Sequence, residues 1–377
     1  MEKKKRITIA QIAELAGVSK ATASLVLNGK SAEYRIADDT RKRIQAVADE
    51  CHYLPSFHAR SLRETRSYTW GLVIPDLTNF GFASIARALE AHCREAGIQL
   101  LIACSEDDPA LEQRVVDNLI SRQVDGLIVA SSGHSDDIYA RIHDRLPVVQ
   151  LDRHIGESRL PMVISDACKA TAELVRDMAS ECGEEIYYFG GLLDLSPSRH
   201  RLAGYELGLH RAGLEADPAR VRHRDYQPSS GYQLMAELVA ELGAPPRGLF
   251  TASFTLLEGV LRYLNEAGLM ETGMRLCTFD DHDLLDCIPM RIDSVAQDCP
   301  ALARAAFELM QQLIAGNPPA QTAQVITPGC AGAVAASHAG SSVRYGKAPP
   351  ILAGLFVGRH GGPAPFNPWC WRARRSA

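Results

Sequence analysis

The sequence predicts a small all-α helix-turn-helix module followed by an α/β body, in one or two lobes, built on doubly wound parallel sheet. Apolar residues recur at helical spacing in the first fifty residues. From Thr69 onward, short apolar strands alternate with amphipathic helices, which is typical of βαβ units. The length of 377 residues exceeds what one compact core usually organises, so more than one unit is expected.

The composition is that of an ordinary globular protein, with 46% hydrophobic and 23% charged residues. No apolar run is long enough to span a bilayer, and the basic start has no uninterrupted apolar segment of the kind found in signal peptides. We therefore expect a cytoplasmic protein with no membrane partner. The ten cysteines include no C-x-x-C, which favours reduced thiols over a zinc site or a disulfide framework.

The charge is distributed unevenly along the chain. Residues 1–66 carry 13 Lys and Arg against 8 Asp and Glu, whereas the whole chain has a net charge of −5. A basic front segment favours a polyanionic partner, although a solvated charged face is the commoner explanation for such a run.

Three short helices are predicted in this basic segment. Thr8 is placed to cap the helix in IAQIAELAG, and Gly17 to end it. Ser19 is then the N-cap of a second helix, KATASLVLN, and a third helix is expected over residues 38–50. The pattern alone leaves open a generic helical bundle with no role in DNA binding.

The segment TIAQIAELAGVSKATASLVLNGK resembles the DNA-binding signature of the lactose/galactose repressor (LacI/GalR) family. The resemblance implies that the second helix enters the major groove, where Lys20, Ala21 and Leu25 would meet the bases. Lys20 is the strong hydrogen-bond donor of these three, since Ala21 and Leu25 offer only apolar contact. The further DNA-binding positions that the resemblance implies are Thr8, Ser19, Thr22, Ser24, Asn28, Tyr53 and Ser56.

The segment HYLPSFHARSLR resembles the hinge of the same family. By this resemblance, Pro55 starts a hinge helix and Leu62 is a wedge that opens a base step from the minor groove. The alternative is that Leu62 is an ordinary core residue. The long loop SAEYRIAD resembles the fructose and sucrose repressors within the family.

Ligands of doubly wound sheets bind at the carboxyl ends of the strands, so polar residues that follow apolar runs are the candidates for a site. Aspartate oxygens accept hydrogen bonds from vicinal sugar hydroxyls, and an arginine donates in a fixed fork. Taken singly, such an aspartate is more often a turn or helix-capping residue. Four clusters follow predicted strands: Asp76 with Thr78 and Asn79, Asp152 with Arg153, Ser196 with Ser198, Arg199 and Arg201, and Asp280 with Asp281 and His282.

The segments LSPSRHRLAGYELGL and CTFDDHDLLD resemble the inducer-binding parts of LacI-type repressors. This implies two periplasmic-binding-protein-like lobes, an inducer that is fructose or fructose 1-phosphate, and sugar contacts from Arg201, Asp152, Asp280 and Ser253. Arg153 is compatible with a phosphate group, or it pairs with Asp152 or another acid. The complete candidate ligand set is Asp76, Asp152, Arg153, Ser198, Arg201, Ser253 and Asp280.

The partners implied by the resemblance are pseudo-palindromic operator DNA and a second copy of the chain. A dimer is expected instead of a tetramer because the end of the chain lacks the apolar heptads of a tetramerising coiled coil. Neither a cofactor nor a metal is expected, and no residue is assigned as catalytic. Two other functional classes are possible: an exported sugar-binding protein, disfavoured by the lack of a signal peptide and by the DNA-binding headpiece, and a sugar dehydrogenase. The sequence contains neither a G-x-G-x-x-G nor a P-loop motif, which disfavours an enzyme. If the chain were an enzyme, Asp280 and Asp281 would be the best candidates for an acid/base pair.

The expected domains are a DNA-binding headpiece (1–54), a hinge (55–68) and a two-lobed sensing core (69–328). Within the core, the first lobe is assigned 69–166 with 294–328, and the second 167–293. Residues 329–377 resemble no family sequence and are rich in Gly, Ala and Pro. This composition predicts an unstructured extension in place of the family's last strand. An out-of-frame reading of the gene's end would produce such a sequence. A basic-aromatic arm that binds DNA or membrane is the alternative.

Overall fold

The computed structural model describes residues 7–53, 66–317 and 321–331. They form a three-helix headpiece followed by two α/β lobes. The hinge residues Ser56 and Leu62, and the whole extension after Ala331, lie outside the described residues. The hinge helix, the wedge and an unstructured tail therefore stay predictions.

The headpiece helices are α1 (Ile9–Leu15), α2 (Lys20–Leu27) and α3 (Asp38–Glu50). Thr8 caps α1 in a capping box, in which Gln11 N donates to Thr8 Oγ1 at 3.4 Å and Thr8 N donates to Gln11 Oε1 at 2.9 Å. Ser19 Oγ caps α2 by accepting from Thr22 N at 3.1 Å. Both predicted caps are confirmed.

Apolar faces of the three helices meet in a small core. Ile12 of α1, Val26 of α2 and Ile44 of α3 are buried there. Val18, between α1 and α2, is half-buried and contacts the edge of this core. In so small a core, the side-chain caps of α1 and α2 are significant, since one such cap is typically worth about 1 kcal/mol.

The two lobes follow the alternating pattern that the sequence predicts. Their strands are β1 (Thr69–Ile74), β2 (Gln99–Cys104), β3 (Gly126–Val129), β4 (Val148–Leu151), β5 (Met162–Ser165), β6 (Ile186–Gly190), β7 (Val221–His223), β8 (Gly248–Thr251), β9 (Arg275–Phe279), β10 (Ile292–Ala296), β11 (Ala323–Ile326) and β12 (Gly329–Ala331). Their helices are α4 (Phe80–Glu95), α5 (Pro109–Ser121), α6 (Asp137–Ala140), α7 (Ala167–Cys182), α8 (Ser196–Arg211), α9 (Pro228–Leu242), α10 (Phe254–Glu266) and α11 (Cys299–Ile314).

Each lobe has one six-stranded sheet. The first sheet has the order β11-β5-β4-β3-β1-β2 with all pairs parallel. The second has the order β12-β10-β9-β8-β6-β7, in which only β12 runs antiparallel. Helices α4 and α11 contribute to the core on one face of the first sheet and α5 to that on the other, and in the second lobe α7 and α8 oppose α9 and α10. The doubly wound fold in two lobes is confirmed.

The boundary between the lobes differs from the expected one at two places. Strand β10 pairs with β9 from Ile292 to Val295, so residues 294–296 belong to the second sheet and not to the first lobe. Residues 329–331, expected in an unstructured extension, form β12, which pairs with β10 from Ser294 to Ala296. The chain therefore crosses between the lobes three times, after β5, after β10 and after β11.

Among the described residues, no helix is both long enough and apolar enough to traverse a bilayer. Nine cysteines are free thiols, in agreement with the expectation for this part of the chain, and four of them are buried.

The short strand β12 gives a first prediction. A chain that ends at Pro328 loses the backbone pairing of β12 with β10, whereas a chain that ends at Ala331 keeps it. We expect the shorter chain to unfold at a lower temperature by a few degrees, since a loss of about 1 kcal/mol shifts the melting temperature of a domain this large by about 2–4 °C. Differential scanning calorimetry of the two truncated chains isolates the strand, and equal melting temperatures would contradict its role.

Candidate functional site

The carboxyl ends of the two sheets border a polar cleft of about 240 Å³ between the lobes. This is the place where doubly wound sheets bind ligands. Six of the seven predicted ligand residues line it, and Ser198 does not. The charged residues of the lining are Asp76, Asp107, Asp152, Arg153, Arg201, Glu258 and Asp280.

Asp152 and Asp280 hold equivalent positions in the two lobes. Asp152 follows β4 and Asp280 follows β9, and each of these strands is the third from the same end of its sheet. Both residues have a left-handed backbone, with φ of +63° and +75°, which aspartate tolerates better than bulkier residues do. Each backbone N–H donates to the next strand: Asp152 to Val163 O at 2.8 Å and Asp280 to Val295 O at 3.0 Å. The ladder thus fixes both carboxylates at the cleft.

Arg201, on α8, is one of two buried positive groups of the cleft, with a relative exposure of 6%. Its Nη1 donates to Ala252 O at 2.6 Å, and its guanidinium lies 3.8 Å from the centre of the Phe279 ring. Burial alone would lower the pKa of Arg201, but Tyr226, Asp280 and Asp152 favour the cation and leave the pKa raised. Its Nε finds no acceptor among the described residues. One donor of the guanidinium is therefore uncommitted.

Arg153 is also buried, and its partner is a residue that the sequence analysis did not single out. Its Nη1 donates to Asp107 Oδ1 in an ion pair, and its guanidinium lies 5.4 Å from the centre of the Phe82 ring. The alternatives left open by the sequence were a phosphate contact, Asp152 or a neighbouring acid. In the structure the acid is Asp107.

The other predicted ligand residues have mainly structural bonds. Asp76 accepts from Thr78 N at 2.8 Å and so closes the turn after β1. Ser253 caps α10 by accepting from Leu256 N at 3.2 Å. Ser198 is buried behind the cleft, where its hydroxyl is 2.9 Å from the hydroxyl of Tyr226. Ser198 can therefore orient Tyr226 but does not itself face the cavity.

Several lining residues were missed by the sequence analysis. Asp107 and Gln297 follow β2 and β10, so the rule that polar residues after strands line the site could have found them. Gln297 lies on the second crossing between the lobes and donates to Asp152 Oδ1 at 2.5 Å and to Ser165 Oγ at 3.0 Å. Tyr226 follows β7, a three-residue, half-buried strand with no clear periodicity.

Histidines take part in the direct contacts between the lobes beside the cleft. The His154 and His200 rings are 5.4 Å apart, centre to centre, and His154 N donates to Ser196 Oγ at 3.0 Å. The ring of His282 lies 4.3 Å from that of Phe80. Burial lowers the pKa of His154 and of His200, so both rings favour the neutral form in this arrangement.

The headpiece presents one polar face of α2. Lys20 and Ala21 are exposed, and Ser24, Leu25 and Asn28 lie half-buried on the same side, opposite the buried Ala23 and Val26. Asn28 Nδ2 donates to Ser24 O at 2.5 Å. Of the other predicted DNA-binding residues in this part, Thr8, Ser19 and Thr22 surround the helix caps, and Tyr53 contacts the headpiece core. The predicted base-reading residues thus share an accessible helix face.

Two family models match these two parts of the chain. The model described as "Bacterial regulatory proteins, lacI family" matches residues 8–56, and "Periplasmic binding protein domain" matches residues 70–318. The sucrose operon repressor of Klebsiella pneumoniae is 53% identical over 317 residues, which cover 84% of this chain and 95% of that protein. The chain belongs to the lacI family of bacterial regulatory proteins. As a lacI-family member it is a DNA-binding regulator and not an enzyme.

Solved structures of two transcription regulators agree with the fold. The Cra regulator of Pseudomonas putida, in complex with fructose 1-phosphate, is 31% identical and matches with a TM-score of 0.65, covering 71% of this chain and 99% of that chain. The lac repressor dimer bound to operator and an anti-inducer is 23% identical, with a TM-score of 0.75 over 87% of this chain and 98% of that chain.

The burial of Asp280 gives a prediction about pH. Burial raises the pKa of Asp280, the Arg201 cation opposes this, and Asp152 adds to it. Since the folded-state pKa lies above that of the unfolded chain, the group stabilises the fold at low pH and loses that contribution as pH rises through the folded pKa. We expect Asp280→Asn, which cannot ionise and tolerates a positive φ, to raise the melting temperature at pH 7.

The gain should shrink as the pH falls through the folded-state pKa and reach its minimum near pH 4, below which the unfolded aspartate is also protonated. Thermal unfolding between pH 4 and pH 8 measures it, and Asp281→Asn, which alters the half-buried neighbour, is the control. Loss of stability by Asp280→Asn at pH 7 would instead mean that the attraction of Arg201 outweighs burial.

Proposed function

We propose that this chain represses a sucrose or fructose utilisation operon and is released from its operator by fructose or fructose 1-phosphate. The proposal is supported by the similarity to a sucrose operon repressor and to a regulator solved with fructose 1-phosphate. The single observation that carries it is the cleft arrangement, in which Asp152 and Asp280 from different lobes face the buried Arg201.

The chemistry of the cleft suits a small polyhydroxylated ligand. Carboxylates of Asp152 and Asp280 accept hydrogen bonds from sugar hydroxyls, and the guanidinium of Arg201, which lines the same cavity, donates to a sugar oxygen. The ring faces of Phe82 and Tyr226 provide apolar contact for the carbon skeleton. The volume of about 240 Å³ favours a monosaccharide or its phosphate ester over a large ligand.

The same geometry suggests how ligand binding reaches DNA. Each lobe contributes one carboxylate, so a ligand that contacts both changes the free energy of the lobes' relative orientation. A homodimer with two headpieces on a pseudo-palindromic operator would lose affinity when that change separates its hinge helices. A tenfold shift between the bound and released states requires a differential ligand affinity of about 1.4 kcal/mol.

The domain organisation that we propose is a headpiece over residues 1–54, a hinge over 55–68 and a sensing core from 69 to 331. The protein would act in the cytoplasm, where it would associate with the nucleoid through its operator. The end at 331 replaces 328 because β12 pairs within the second sheet.

The direct test is a titration of the operator complex with sucrose, fructose, fructose 1-phosphate and fructose 6-phosphate. Fluorescence anisotropy of labelled operator DNA measures release by each compound. Release by fructose or fructose 1-phosphate at the lowest concentration is the expected result. Release by fructose 6-phosphate alone would support the same class of regulator with a different inducer, and no release by any of the four would contradict the proposal.

Arg201 gives the second prediction for this function. We expect Arg201→Gln to keep operator affinity within about twofold and to weaken sugar-driven release at least about tenfold, because a cationic donor is lost from a buried site. Arg211→Ala, in the exposed last turn of the same helix, is the control and should change neither property. Equal loss of operator binding and release by Arg201→Gln would show a folding defect instead of a ligand contact.

Lys20 gives a prediction for DNA recognition. We expect Lys20→Ala to weaken operator binding by about 1–3 kcal/mol while binding to a scrambled duplex falls much less, because a base contact carries sequence discrimination. Lys30→Ala removes an exposed positive charge just beyond α2 and should weaken both duplexes alike. A uniform loss across both duplexes for Lys20→Ala would assign Lys20 to phosphate contact.

A further inference from the structure

The ion pair of Arg153 with Asp107 lies inside the cleft and lowers the net positive charge available there. The Arg153 side chain is 6% exposed, whereas that of Asp107 is 39% exposed, so the carboxylate is the more accessible member of the pair. Both residues line the same cavity as Asp152 and Arg201. A ligand group that approaches Arg153 therefore also approaches the Asp107 carboxylate.

The position of Asp107 is fixed by neighbouring groups. Its backbone has a φ of +56°, directly after Glu106 at +53°, so two successive left-handed residues turn the chain after β2. Ser132 Oγ donates to Asp107 Oδ1 at 3.1 Å. Ser132 N in turn donates at 2.6 Å to Glu112 Oε2, a fully buried carboxylate. This network holds Asp107 beside Arg153 before any ligand arrives.

The other charges of the cleft do not compensate for Asp107. Among the described residues, the lining has five carboxylates and two guanidiniums. A phosphate monoester adds about −1.5 to −2 charges near neutral pH, and the five carboxylates oppose it. An uncharged sugar has no such cost, since its hydroxyls donate to carboxylates.

We propose that Asp107 sets the charge selectivity of the cleft: by neutralising Arg153, it lets an uncharged ketose compete with the phosphate ester of the same sugar. The inference rests on the proposed function, because it assumes that a sugar or sugar phosphate occupies this cleft. It assigns to Asp107 a discriminating role between ligand classes, in addition to its contact with Arg153.

The test is Asp107→Asn in the full-length protein. Asparagine keeps an oxygen that accepts from Arg153 and Ser132 and tolerates the positive φ, but it lacks the negative charge. Isothermal titration calorimetry with fructose and with fructose 1-phosphate gives both dissociation constants. We expect the affinity ratio to shift toward fructose 1-phosphate by about tenfold, with fructose affinity nearly unchanged, because one nearby like charge is removed.

Asp108→Asn is the matched control. Asp108 is the next residue, does not line the cleft, and caps α5 through Oδ1, a role that asparagine also performs. The Asp108→Asn protein should have the same ratio of fructose 1-phosphate affinity to fructose affinity as the unmodified protein. An unchanged ratio for Asp107→Asn, or a selective loss of fructose 1-phosphate binding, would overturn this inference and leave the proposed function standing. Binding of neither ligand by the unmodified protein would overturn both.

Discussion

The buried guanidinium of Arg201 is the constraint on which the cleft depends. A cation at 6% exposure is costly unless acceptors and counter-charges surround it, and here they come from both lobes. Ala252 O and Asp280 belong to the second lobe, while Asp152 belongs to the first. The favourable electrostatic environment of Arg201 therefore depends on the distance between the lobes. A ligand that changes this distance also changes the free energy of this almost fully buried cation.

The crossing segments give that coupling a mechanical path. Gln297 lies where the chain passes from β10 back toward the first lobe, and it donates to both Asp152 and Ser165. The same side chain therefore contacts a ligand-facing carboxylate and the end of β5, where the first crossing begins. Three crossings tie the two lobes together at this side of the cleft, which is the arrangement that hinge closure around a ligand requires.

The sequence predicted most of the fold because its strongest signals are local. Thr8 and Ser19 are chemically suited caps, and both cap as predicted. The tendency of polar residues that follow strands to line a ligand site also pointed to Asp152 and Asp280. Nothing in the sequence pattern indicates the positive φ of these two residues. The rest depended on long-range pairing: β12 has three residues and no periodicity of its own, and only its ladder with β10 defines it. The partner of Arg153 is likewise 46 residues away: the position of Asp107 after β2 could have placed it at the cleft, but only the fold brings it into contact with Arg153.

Strand β12 also has a consequence for how this protein behaves in concentrated solution. It runs antiparallel along β10, which would otherwise be the outer strand of the second sheet and would offer unpaired N–H and C=O groups to another chain. The residues that follow Pro328 therefore do more than extend the polypeptide, since three of them shield a sheet edge. Shortening the chain by those few residues is expected to favour sheet-to-sheet association between molecules, and with it aggregation during expression, even where the fold itself survives.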